Sequence, residues 1–226
     1  MKFLILFALV LTPVRAADLV IAAAADLAPF TSQLEKQFTA GHLRFSIAAS
    51  GALARQIENG APFDVFLSAN EQYVKDLEAK NLLIPATVVN YATGRIAVWS
   101  ADGSVRSLED LVKPGVRHVA IPNPQTAPYG IAAKKALETR GLWKQVEPKI
   151  VYGENVRQAL QFAESRNADA VITSWSLLKG RGTLLPADWH DPIRQSGGVL
   201  SSSKQPDLAR RFLDFLLSTE GQRILQ

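Results

Sequence analysis

Few residues in this chain are spaced to do chemistry, and the clearest are hydroxyls at the starts of helices. Ser50-Gly51 stands between an apolar run, residues 45–48 (FSIA), and a helical pattern over residues 52–59; a second apolar run, 64–68 (DVFLS), follows. Short apolar runs rich in β-branched and aromatic residues read as buried strands. A helix that opens directly after a strand presents unpaired N–H groups and a partial positive charge. A serine beside it completes a small anion site without any basic side chain. Taken alone, a Ser-Gly at that place is equally an N-cap. What favours anion chemistry is that similar helix entrances recur along the chain.

Other chemistry is poorly supported. Ser201-Ser202-Ser203-Lys204 has the S-x-x-K spacing of a lysine-activated serine nucleophile, but S-D-N and K-T-G elements are missing. It reads as a loop before the last helix, which leaves a serine hydrolase as a remote alternative. His42, His118 and His190 are far apart and not at metal-ligand spacing. No G-x-S-x-G, Walker loop or G-x-G-x-x-G occurs. Glu109-Asp110 falls at a predicted helix start, where acids complement the dipole. Trp99, Trp143, Trp175 and Trp189 read as packing residues. The expectation is a binding protein without catalysis or cofactor.

The elements that position these residues alternate. Strands are expected at 18–24, 45–48, 64–68, 88–91, 95–100, 116–121, 149–152 and 168–173. Helices are expected at 27–40 with Asp26 as N-cap, then at 52–59, 71–80, 107–112, 129–140, 155–166 and 207–217, with a final turn at 220–225. Such alternation implies parallel sheets with covered faces. The stretches 91–94 and 188–198 read as crossings between two lobes, residues 17–93 plus 195–226 and residues 94–194. A cleft between two α/β lobes sets helix N-termini face to face, where α/β folds bind ligands.

Residues 1–16, MKFLILFALVLTPVRA, have the basic start, apolar run and small-residue exit of a cleavable signal peptide, with cleavage expected after Ala16. The run 3–10 is far shorter than a bilayer span. With no cysteine there is no disulfide and no lipid anchor through cysteine; an exported chain of this kind suits a Gram-negative periplasm. The net charge of +4 falls to +2 once Lys2 and Arg15 leave with the leader, and the basic residues are interleaved with acidic ones. That pattern describes solvated faces and argues against nucleic acid as a partner.

The stretch Ala49 to Asn70, ASGALARQIENGAPFDVFLSAN, resembles the periplasmic molybdate-binding proteins of ABC uptake systems, within the type II periplasmic-binding fold. VIAAAADL (20–27), PNPQTAPYGIAAKKAL (122–137), GENVRQAL (153–160) and the closing PDLARRFLDFLLSTEGQRIL extend the resemblance over nearly all of the chain after the leader. It implies a monomeric two-lobed receptor for a tetrahedral oxyanion, molybdate or tungstate, serving the membrane permease of an ABC importer. The metal is then reached only through oxygens held by Ser50, Tyr129 and Val156. Ser50 matches the family's ligand-binding serine. Tyr129 matches a position that contacts the anion through its backbone, and Val156 one that offers a backbone N–H. Thr173 falls where some members carry a tyrosine.

The pattern breaks at the first helix entrance. The family commonly carries Ser or Asn there; this chain reads Ala22-Ala23-Ala24-Ala25-Asp26-Leu27. Three readings stay open. Asp26 caps its helix and turns away, which is the expectation carried forward. Alternatively it accepts a hydrogen bond from a protonated oxyanion such as phosphate, or the ligand is not an anion of the molybdate type.

Overall fold

The computed structural model describes residues 18–226; the expected leader lies outside them. In chain order the elements are β1 (Asp18–Ala24), a 3-10 turn (Ala25–Leu27), α1 (Thr31–Gln37), β2 (His42–Ala48), α2 (Ser50–Glu58), β3 (Val65–Ser68), α3 (Glu71–Ala79), β4 (Val89–Gly94) and β5 (Ile96–Trp99). After them come β6 (Val119–Pro122), α4 (Pro128–Thr139), α5 (Trp143–Val146), β7 (Ile150–Gly153), α6 (Val156–Glu164), β8 (Ala170–Ser174) and α7 (Trp175–Leu178). The chain closes with β9 (Thr183–Leu184), β10 (Ile193–Val199), α8 (Pro206–Leu217) and α9 (Thr219–Ile224).

Two five-stranded sheets result, ordered β2-β1-β3-β10-β4 and β7-β6-β8-β5-β9. Each is the centre of one α/β lobe. Side chains of β1 go to both faces: Leu19, Ile21 and Ala23 pack with Phe212, Leu213 and Leu216 of α8, while Ala22 joins Leu53 and Ile57 of α2 and Leu77 of α3. The second sheet repeats the arrangement, with Val98, Ile121 and Ile172 on one face and Ala97, Ala120 and Val171 on the other. Burial on both faces explains why these strands read as continuous apolar runs.

Two expectations are corrected, and one stretch gains an element. The sheets are mixed, not parallel: β1 runs parallel to β2 and β3, but β10 is antiparallel to β3 and β4, and β5 is antiparallel to β8 and β9. Strands that arrive directly from the other sheet, without a crossover helix, run against their neighbours. Most of the stretch 188–198, where the chain passes from the second sheet to the first, is the strand β10, whose sequence IRQSGGV lacks any apolar alternation. Gly197 is required there, because a β carbon would lie 2.6 Å from both the Leu67 side chain and the Phe66 carbonyl oxygen. The expected helix 27–40 is only α1, preceded by the 3-10 turn. Pro29 has no N–H to carry the turn into a helix, so the Asp26 carbonyl is left for another partner.

Candidate functional site

Three long helices start at one point between the lobes. The residues before them, Ala49, Ala127 and Asn155, all have extended backbones, which turns each chain abruptly from strand or loop into helix. Ser50 of α2, Tyr129 of α4 and Val156 of α6 line one small pocket with Ala24, Ala25, Asp26, Ala49, Ala69, Ala127, Pro128 and Asn155. Among the described residues, the backbone N–H groups of Ser50, Tyr129 and Val156 donate to no protein acceptor. Asn155 caps α6 by accepting from the N–H groups of Arg157 and Gln158, and so leaves that of Val156 available. The pocket has about 10 Å³ of free volume, the space of about one water.

Each expected site residue has a definite place. Ser50 is the first residue of α2, not its cap; Ala49 holds the cap position and makes no side-chain bond. The buried Ser50 Oγ accepts the Ala69 N–H at 2.9 Å, and its own proton remains to be donated. Tyr129 is buried at the start of α4. Thr173 is buried behind the pocket, its hydroxyl donating to the Val156 carbonyl at 3.0 Å. It supports the start of α6 and does not line the pocket.

Asp26 overturns the capping expectation. It sits inside the 3-10 turn, 2% exposed, and caps nothing. Its Oδ2 accepts from the Tyr129 phenol at 3.0 Å and from Gln195 Nε2 at 2.6 Å, and Gln195 Nε2 also lies 2.9 Å from the phenol oxygen. Among the described residues, Oδ1 is buried without a partner. Burial pushes the Asp26 carboxyl up to about 6, against the pull of the hydrogen bonds from Tyr129 and Gln195. Burial, with the charge of Asp26 beside it, holds the Tyr129 phenol well above the usual tyrosine range. Gln195 is the member of this hydrogen-bonded group that sequence reasoning missed. Nothing in IRQSGGV marks it, since its importance comes from a partner 169 residues away.

The cleft is closed by hydrogen bonds between the lobes. The Gly51 N–H donates to the Thr126 carbonyl at 2.9 Å, and the Ser176 hydroxyl donates at 2.9 Å to the Asp26 carbonyl that Pro29 left unused. Gly51 permits this approach, because a β carbon there would stand 2.6 Å from the Tyr73 hydroxyl and 3.0 Å from the Thr126 oxygen. Among the described residues, no Arg, Lys or His lines the pocket. Chemically, such an arrangement offers several neutral donors, oriented with the positive ends of helices, to one compact anion. An ionised Asp26 works against this, since two unit charges 4 Å apart repel by about 4 kcal/mol at an effective dielectric near 20.

Residues 19–226 match the family model described as bacterial extracellular solute-binding protein. The chain is 32% identical to the molybdate-binding protein ModA of Rhodobacter capsulatus, over 95% of this chain and 88% of that protein. The Azotobacter vinelandii periplasmic molybdate-binding protein superimposes with a TM-score of 0.86 at 29% identity, covering 92% of this chain and 96% of that one. The sulfate-binding protein SubI of Mycobacterium tuberculosis, at 15% identity, shares the fold with a TM-score of 0.72 over 92% of this chain and 84% of that one.

Proposed function

Taking as premise that the chain belongs to the bacterial extracellular solute-binding protein family, we propose that it captures molybdate or tungstate. It works in the periplasm after loss of residues 1–16, as a monomer without cofactor, and hands the oxyanion to the membrane permease of an ABC importer. The lobes that close on the ligand are residues 17–93 plus 195–226 and residues 94–194. One observation carries this reading: three helix N-termini and the Ser50 hydroxyl meet in a closed pocket with no cationic side chain. The molybdate-binding relatives named above, which this chain matches over almost its whole length, support the choice of anion.

In this reading Ser50 donates through its hydroxyl, and Tyr129 and Val156 through their N–H groups. Asp26 and Gln195 set the charge and position of the phenol. A pocket of neutral donors selects by size and geometry, because a donor left unpaired in a closed cleft costs roughly 1–3 kcal/mol. Sulfate, the smaller tetrahedron, is expected to leave at least one of these donors unmatched. A thermal-shift screen with molybdate, tungstate, sulfate and phosphate tests this. A ligand at 100 times its dissociation constant adds about 2.7 kcal/mol, and melting should rise by roughly 2–4 °C per kcal/mol. Molybdate and tungstate should stabilise and sulfate should not. The unpaired Asp26 Oδ1 favours a second reading, a receptor for phosphate or another protonatable oxyanion; stabilisation by phosphate alone would establish it.

A further inference from the structure

We propose that this pocket takes up its oxyanion together with one proton, held between Asp26 Oδ1 and a ligand oxygen; the inference rests on the oxyanion reading above. Asp26 lines the pocket, and its Oδ2 is already spent on Tyr129 and Gln195. Its Oδ1 is buried with no partner. An oxyanion in the pocket brings acceptor oxygens toward a second acceptor, and a carboxylate and a dianion meet without repulsion only when one proton lies between them. The proton comes from solvent when the ligand is fully deprotonated, as molybdate is at neutral pH. It comes on the ligand in the case of hydrogen phosphate. Only the proton moves, so charge and atoms balance.

Among the described residues, no group around Asp26 supplies the compensating positive charge instead. Facing it are the phenols of Tyr129 from α4 and Tyr91 from β4, both held well above the usual range by burial and so neutral. The Gln195 amide comes from β10, and the Ser174 and Ser176 hydroxyls come from the end of β8 and from α7. Among the described residues, Arg95 and Lys179 border only the groove, form no ion pair with Asp26 and do not line the pocket. Burial favours the protonated carboxyl in the same direction.

The test is calorimetric titration of molybdate into the wild-type protein, at several pH values and in two buffers of different ionisation enthalpy. Uptake of close to one proton per molybdate is expected at about pH 7.5, with affinity falling about tenfold per pH unit above about pH 6.5. Asp26→Asn should abolish the uptake, flatten the profile and bind molybdate at least about tenfold more tightly than wild type near pH 8. Wild-type binding with level affinity and no proton uptake would overturn the inference and leave the molybdate reading standing. If phosphate binds and molybdate does not, the molybdate reading falls. The inference then survives if Asp26→Asn weakens phosphate about tenfold or more and fails if phosphate is indifferent to the change. Failure of every oxyanion to bind overturns both.

Discussion

Two cavities meet at Asp26, and they are built on opposite principles. The pocket between the three helix starts has about 10 Å³ of free volume and, among the described residues, no cationic side chain. The groove behind it has about 520 Å³ and carries Arg95 and Lys179. Asp26 and Tyr129 border both. Lys179 thus lies exposed, where water and salt screen it, while the neutral donors line a buried pocket. A fixed charge in an open groove attracts any anion weakly. Oriented N–H groups in a closed pocket discriminate, because each one must be matched.

The largest expected effect concerns the wall between the cavities. The carboxyl of Asp26 is raised from 3.8 to about 6 on folding. Its contribution to stability is therefore fully present below the unfolded value and lost as pH rises through about 6, a cost on the order of 3 kcal/mol at neutral pH. Asp26→Asn, which keeps an acceptor for Tyr129 and Gln195, should raise the melting temperature of the unliganded protein at about pH 7.5 and leave it nearly unchanged at about pH 4. An equal change at both pH values would show that charge is not the cause.

Next is Ser50→Ala, expected to weaken molybdate by roughly 1.5–3 kcal/mol, the range for a hydrogen bond to a charged group. It should also destabilise the free protein by about 1–3 kcal/mol, since the Ala69 N–H loses its buried acceptor. Calorimetry and denaturant unfolding separate the two; lost stability with unchanged affinity would remove Ser50 from the ligand. Val156→Pro deletes a single N–H at the first position of α6, where proline is tolerated, after an Asn155 that is already extended. Affinity should fall by about 1.5 kcal/mol with helix content unchanged by circular dichroism. Undiminished binding would place the anion elsewhere. The smallest effect belongs to the groove. Lys179→Asn, at a left-handed position that asparagine tolerates, should leave molybdate affinity unchanged at physiological salt. A strong, salt-dependent loss would reverse the ranking of the two cavities.

Local patterns carried most of the architecture. The run from β2 through α2 to β3 is written in adjacent residues, and so are the helix starts at Tyr129 and Val156. These come together because each follows its own strand to the same edge. What the sequence hid depends on contacts across the cleft. Asp26 reads as a cap because Asp before an apolar run is one; its real partners are 103 and 169 residues away. The strand β10 looks like a linker because its place is secured by backbone ladders and the close fit at Gly197, not by apolar alternation. Thr173 lies at the right end of β8 but points its hydroxyl at the Val156 carbonyl, a choice that only packing decides.

The most direct test is a crystal structure of the protein grown with molybdate, with the metal located by its anomalous signal. The expected result is one peak in the pocket, with molybdate oxygens within hydrogen-bond distance of the Ser50 hydroxyl and the N–H groups of Tyr129 and Val156, and no cationic side chain in contact. A peak in the groove beside Arg95 or Lys179, with the pocket between the helix starts unchanged, would contradict it.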